Sequence, residues 1–425
     1  MGGKAAILLV LGFSTIFLVF TRNNSRVATT ALQNFSDYYT ETKVNNLAQS
    51  AANMAAHKVF ENNSWSAGFP KTDFDGGKIE TTVALAGSLK IITSTARFNG
   101  KEKTVKVKLK REDYSKYGNF YGHISAIPAT GDTFRGPFHV NSNLITYGDP
   151  VFMGKVTMKG NLRKWGPTKN PDFQKGYEKG VDKPVDFDTT GMRTAASLNG
   201  AVIKDTTGAG HKVDVKIRLL GNGKITYKYR IFDGSPKWSK RKTVPLKTFA
   251  PNGLIFVEKG NVFIKGTLKG KLTVVASARG NSHAGNIFQT DDIKYKNDPR
   301  IDKTSDDMLG LVAENNIRLQ YNNHTKHHDI ITQASMFAKN GNIGPDNRLV
   351  NNDGVLSRWK ILGGLIANDI RVTARYSWST GKPYKGYQFV HTYDERFKIK
   401  SPPHFPQLKY EVVSWFESLP KEIDD

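Results

Sequence analysis

Few residues in this chain stand in a pattern that could do chemistry. The densest imidazole cluster is His324, Thr325, Lys326, His327, His328 and Asp329. Imidazoles three and four apart can share a metal on one face of a helix, but Asn322 and Asn323 precede this run and no helical stripe surrounds it. An exposed turn carrying several histidines is expected there. Two carboxylate pairs, Asp291 with Asp292 and Asp306 with Asp307, could serve calcium or acid–base work on a carbohydrate. Lys294, Lys296, Arg300 and Lys303 lie between them, which predicts a salt-bridged loop instead. Cysteine is absent, removing thiol catalysis, disulfides and Cys-ligated metal sites together. With no nucleophile elbow, phosphate loop or zinc-protease motif either, no catalytic residue, metal ligand or cofactor is assigned.

Binding is better represented than catalysis. Lys and Arg number 62 against 38 Asp and Glu, a formal charge of +24, so polyanions such as lipid headgroups, acidic polysaccharide or nucleic acid suit the surface. One strand-like run stands out: alternation sets Val105, Val107 and Leu109 on one face and Lys103, Lys106, Lys108 and Lys110 on the other. Those four lysines are the candidate polyanion contact, and a solvated face that blunts edge pairing is the plainer alternative.

The elements that carry these residues begin with a helix. Residues 5–21 are uncharged and strongly apolar, bracketed by Lys4 and Arg22. That length is short for a bilayer span yet long for a signal-peptide core, and the bulky residues that follow make a poor cleavage site, so an uncleaved anchor is favoured. No Gly or Pro interrupts 27–60, where Ala28, Ala31, Leu32, Phe35, Tyr38, Tyr39, Leu47, Ala48, Ala51, Ala55 and Val59 recur at spacings of three and four. One unbroken helix on the order of 85 Å is predicted, ending near Asn62, Asn63 and Ser64.

An apolar segment running without a break into an amphipathic helix and then a β-rich body resembles the type IV pilin-like proteins, specifically minor pilins and pseudopilins of the PilX-like kind. That resemblance implies a leader cut after Gly3, leaving Lys4 first, although Lys4 and Leu8 depart from the family's usual apolar and Glu residues at those places. It also implies subunit contacts through 27–60, helped by small residues at Ala28, Ala31, Ala48, Ala51, Ala52, Ala55 and Ala56. Tyr393 to Arg396, Ser401 to Pro406 and Tyr410 to Glu417, with Pro251 to Val257 and Ser305 to Ala313, resemble an uncharacterised bacterial envelope family. That second resemblance carries no activity.

Beyond the helix, 66–130 is expected to form a small antiparallel sheet packed on it. A recurring phrase follows, in which an apolar pair and a small residue precede an Asn/Gly turn and another apolar pair. Its small residues fall at Ala276, Ala313, Ala338 and Ala367, intervals of 37, 25 and 29. Variable periods of this size suit stacked coils, so 131–160 and 251–392 are predicted to form a parallel β-helix or solenoid, with a β-sandwich as the alternative. Residues 161–250 are expected as an inserted loop and hairpin around Gly221, Asn222 and Gly223. At the end, 393–425 is expected as a Pro-rich cap whose Trp415 and Phe416 close the core.

Together these features predict a mainly β protein held by one helix in the cytoplasmic membrane, its body periplasmic or at the cell surface. Structural or adhesive work, including that of a minor pilin-like component, is favoured over an enzyme. The alternative is a membrane-tethered carbohydrate-active β-helix enzyme.

Overall fold

The computed structural model describes residues 2–423 apart from 87–88, 184, 186–188, 235–236, 352–353 and 378–382. The chain is mainly β with one long N-terminal helix, α1 (Gly2–Glu61). It divides into two compact units, Met1–Glu112 with Lys409–Asp425, and Asp113–Leu408.

In the first unit α1 persists to Glu61 because nothing before it interrupts backbone pairing. The amide of Ser64 then donates to Asn62 Oδ1 at 2.9 Å, a side-chain bond that competes with another helical turn. Strands β1 (Phe69–Phe74), β2 (Gly77–Ala86), β3 (Leu89–Phe98) and β4 (Lys101–Asp113) form an antiparallel meander, and the returning strand Gln407–Glu417 adds beside β4. The core lies between helix and sheet: Val44, Leu47, Ala48, Ala51, Ala52, Ala55 and Val59 pack with Ile79, Ile92, Ala96, Val105, Val107 and Leu109. Alanines on the buried stripe let the helix axis approach the pleated surface closely. Three sequence-based expectations change here. Ala48, Ala51, Ala52, Ala55 and Ala56 pack inside this unit and are not surfaces for a neighbouring helix. Lys103 has the parity of Val105, so it faces inward at 9% exposure with Nζ 3.1 Å from a Glu417 carboxylate oxygen. Only Lys106, Lys108 and Lys110 remain on the exposed face. Trp415 and Phe416 belong to this unit's edge strand and are exposed, so they close no core.

The second unit is built on parallel ladders. One runs through Ala201–Ile203, Leu254–Val257, Lys271–Ala276, Met308–Ala313, Ser335–Pro345 and Leu365–Ile370. It then continues into Asn119–Ile124, Phe138–Val140, Val156–Met158 and Tyr177–Lys179. Spatial order therefore departs from chain order: the strands of 119–179 follow Leu365–Ile370. Gly122 permits that junction, since a Cβ there would lie 2.4 Å from Asn368 Oδ1 and 2.8 Å from its carbonyl oxygen.

Ala276, Ala313, Ala338 and Ala367, the small residues of the repeated phrase, stand in one cross-strand row. They and the row Val274, Leu311, Met336 and Leu365 line the main core, whereas Phe256, Val275, Val312, Phe337, Ile366 and Phe120 face the opposite way into a second cluster with Tyr114, Met192 and Phe405. These strands are buried on both faces, hence their nearly continuous apolar text. The phrase's turns have a physical role too. Asn286 donates its amide and Nδ2 to Asn261 Oδ1 at 3.0 and 3.1 Å, Asn316 does the same to Asn286 Oδ1 at 3.2 and 3.1 Å, and the Asn342 amide donates to Asn316 Oδ1 at 3.2 Å. Phe134, Phe152 and Phe173 stack along another ladder at 5.0 and 4.9 Å.

Residues 161–250 do not simply interrupt this order. Leu162–Trp165 and Tyr177–Lys179 join parallel ladders, and Val213–Leu220 pairs in parallel with Gly260–Leu268. The hairpin around Gly221 to Gly223 is present, with Val213–Leu220 antiparallel to Lys224–Ile231, and it extends the stack instead of leaving it.

Candidate functional site

Two features of this architecture are available for function: an uncovered helix and a basic groove. In α1, burial begins at Thr40, and 3–39 are exposed wherever the side chain is described. The helix is long and apolar enough to cross a membrane. Ile7, Leu8, Phe13, Phe17 and Phe20 are all more than 60% exposed, as an apolar span outside lipid must be. Beyond that run the apolar character persists: Val27, Leu32, Phe35 and Tyr38 are between 65% and 71% exposed. Gly3 and Lys4 begin the same helix, while Met1 lies outside the described residues.

The groove, about 660 Å³, belongs to the second unit. Alternation along Val213–Leu220 buries Val215, Ile217 and Leu219 and turns Lys216 and Arg218 outward. Lys228 stands opposite Lys216 across the hairpin, and Thr226 opposite Arg218. On the adjacent parallel strand Phe263 and Lys265 lie in register with Lys216 and Arg218. Arg241, Thr290 and the segment from Gln320 to His324 supply the rest of the wall; five of the lining residues are Lys or Arg and none is Asp or Glu. The Trp238 ring sits beneath three cations, with Lys216 Nζ, Lys228 Nζ and Arg230 Cζ at 4.5, 5.2 and 4.8 Å from its centroid. Burial lowers the Lys216 ammonium below its ordinary pKa, and the Lys228 and Arg230 charges lower it further against Asp214. Guanidinium and ammonium groups so gathered have the chemistry to pair with carboxylate or phosphate groups.

The apolar phase of the hairpin fixes its strands, whereas its polar phase, which lines the groove, carries no signal of its own in the sequence. Lys216, Arg218, Thr226 and Lys228 were visible as alternating residues; that they face Lys265 and Arg241 was not.

Sequence-predicted groups elsewhere are dispersed. Lys106, Lys108 and Lys110 share one face of β4 without Lys103. His324, His327 and His328 lie exposed in a turn; His324 Nδ1 is 3.9 Å from Asp291 Oδ2, and no three metal-ligating side chains converge among the described residues. Asp291 pairs with Lys265 at 3.2 Å and Asp292 with Lys294 at 2.8 Å. Burial pushes the Asp291 carboxyl up, but the Asp292 amide and the Lys265 and His324 charges outweigh it and hold it below its ordinary value. Asp306 lies 3.5 Å from Lys271 and 3.3 Å from Lys400, while buried Asp307 accepts the amides of Gly270 and Asn297 at 2.6 and 2.9 Å. The expected salt-bridged loop thus recruits most of its partners from other strands.

No family model matches the chain, and no curated protein matches it. Among solved structures it is similar to the competence-associated pilin ComZ from Thermus thermophilus, at 12% identity over 91% of this chain and 97% of that one, with a TM-score of 0.33. At that TM-score no feature transfers from one molecule to the other.

Proposed function

We propose that this chain is a pilin-like component of a bacterial envelope assembly, anchored in the cytoplasmic membrane by 5–21, with a solenoid-like body displayed in the periplasm or at the cell surface. The observation that carries this proposal is the length of α1 left without a partner. An ordinary anchor needs only its span. Here Val27, Leu32, Phe35 and Tyr38 continue an apolar stripe past that span, exposed in the isolated chain, before the helix meets its own sheet at Tyr39, whose ring packs edge-on against Phe98. Exposed apolar surface of this kind is rarely left to water and marks a contact with other subunits. The subunit-facing stretch is then 27–38, since the remainder of 27–60 is largely occupied internally. Under the same proposal a prepilin peptidase removes the leader after Gly3, leaving Lys4 at the mature N-terminus.

The test is photocrosslinking from Leu32 and Phe35 in cells, with mass spectrometry of the native N-terminus. Adducts with pilin-like subunits and a chain beginning at Lys4 are expected. Adducts with lipid alone, or an unprocessed N-terminus, would reduce the protein to a tethered β-rich body.

A further inference from the structure

We propose that the basic groove of the second unit is a binding site for an acidic polysaccharide, whose carboxylates are held by Arg218, Arg241, Lys216 and Lys228. This goes beyond the subunit role of the helix and does not depend on it.

The first argument is charge left without a counterion. The side chains of Arg218 and Arg241 make no hydrogen bond or ion pair with any described residue, while Lys216 and Lys228 face each other directly across the hairpin. Like charges in that position destabilise a sheet. Asp291 engages Lys265, Asp214 acts on Lys216, and the Trp238 ring lies beneath Lys216 and Lys228, so Arg218 and Arg241 are the cations left unmatched. A ligand bearing several anionic groups relieves a repulsion that the fold maintains, and guanidinium groups recognise carboxylates in two-point fashion.

The second argument separates a glycan from a nucleic acid. Sequence-tolerant single-strand binding uses aromatic faces on which bases stack. The rings here are already engaged: Phe263 stacks on Phe288 at 5.0 Å and 17° and has Lys216 in register on its other side. Tyr227 packs on Phe249 at 4.8 Å, and Trp238 carries the three cations described above. What the walls leave unengaged is polar instead: the side chains of Thr226, Gln320 and Asn323 have no hydrogen bond among the described residues and suit sugar hydroxyls.

The experiment uses the full chain in detergent and measures binding of fluorescent hexagalacturonate, its carboxyl-reduced neutral counterpart, and oligothymidylate of similar charge. Binding of the uronate that weakens with salt is expected, with the neutral hexamer at least about tenfold weaker. Arg218→Gln with Arg241→Gln should weaken uronate binding by about tenfold or more. Both arginines are exposed and bonded to nothing described, so the thermal midpoint should not move. Replacing Lys106, Lys108 and Lys110 by Gln should leave uronate binding unchanged. Equal binding of the neutral hexamer, tighter binding of oligothymidylate, no uronate binding, or full binding by the double arginine variant would each overturn the proposal. None of these outcomes bears on the crosslinks from Leu32 and Phe35.

Discussion

A glutamate at position 51 should unfold the first unit, whereas one at position 35 should leave it intact and disturb assembly. Ala51 is fully buried between α1 and the sheet, among Ile92, Val105 and Val107. A carboxylate there loses its hydration and gains no cation from this apolar cluster, a penalty of several kcal/mol. Its longer side chain also overpacks a site shaped for a methyl group, which costs about 1–3 kcal/mol more. The combined cost is on the order of 4–7 kcal/mol, less whatever the Glu recovers by taking up a proton. About ninety residues of the first unit share this core, and at roughly 0.05–0.15 kcal/mol per residue their whole stability is on the order of 5–13 kcal/mol. Ala51→Glu should therefore leave little of it. Phe35 is 69% exposed and belongs to no core cluster, so Phe35→Glu should change stability by less than about 0.5 kcal/mol. Hydrogen exchange of the full chain reads both: amides of β2, β3 and β4 should lose protection in Ala51→Glu and keep it in Phe35→Glu, while crosslinking to neighbours fails in Phe35→Glu. Native protection in Ala51→Glu would refute the packing argument, and native crosslinking in Phe35→Glu would refute the subunit contact.

Three further outcomes rest on the second unit. Asn286→Ala takes the acceptor from the Asn316 amide and Nδ2 and should destabilise by about 2–4 kcal/mol in denaturant unfolding. Asp307→Asn keeps the shape but only one carbonyl oxygen for the Gly270 and Asn297 amides; a loss of about 1–3 kcal/mol is expected by the same measurement, with the groove's ligand binding unaffected. His391 donates from Nε2 to the Gly363 carbonyl at 2.8 Å, and burial pushes its pKa down to about 4. Because the fold resists the proton that the unfolded chain accepts, stability should be constant above pH of about 6.5 and fall by about 3 kcal/mol toward pH 4, a slope that His391→Gln removes.

The fold's local content was legible where one physical requirement repeats. The extent of α1 follows from an interval free of Gly and Pro, and its end from the Asn pair. Ala276, Ala313, Ala338 and Ala367 were readable as a series because a strand covered on both faces has little room above the turn, and the asparagines recur because each bonds the next coil. Parity was decisive and unforgiving: counting Lys103 with Lys106 misplaced a buried ion pair onto a solvated face. What repetition cannot encode is the order of stacking. Nothing in the text of Asn119–Ile124 says that it follows Leu365–Ile370, since any half-buried apolar strand offers the same backbone groups to a parallel neighbour.

The groove shows the same limit from the functional side. A charge of +24 announces a positive surface but assigns no place to it, and most lysines in the chain are scattered or paired. The site arises because a hairpin strand carrying Lys216 and Arg218 docks in parallel on a coil carrying Lys265, while a second hairpin strand brings Lys228 against them. Each strand alone is an ordinary amphipathic strand with a solvated polar phase. Their convergence is a property of the ladder, and it concentrates cations in a groove whose lining holds no carboxylate, with Asp291 beside it paired to Lys265. The Trp238 ring takes up part of the charge that Lys216 and Lys228 bring face to face, so the Arg218 and Arg241 side chains are the groups a bound anion would engage.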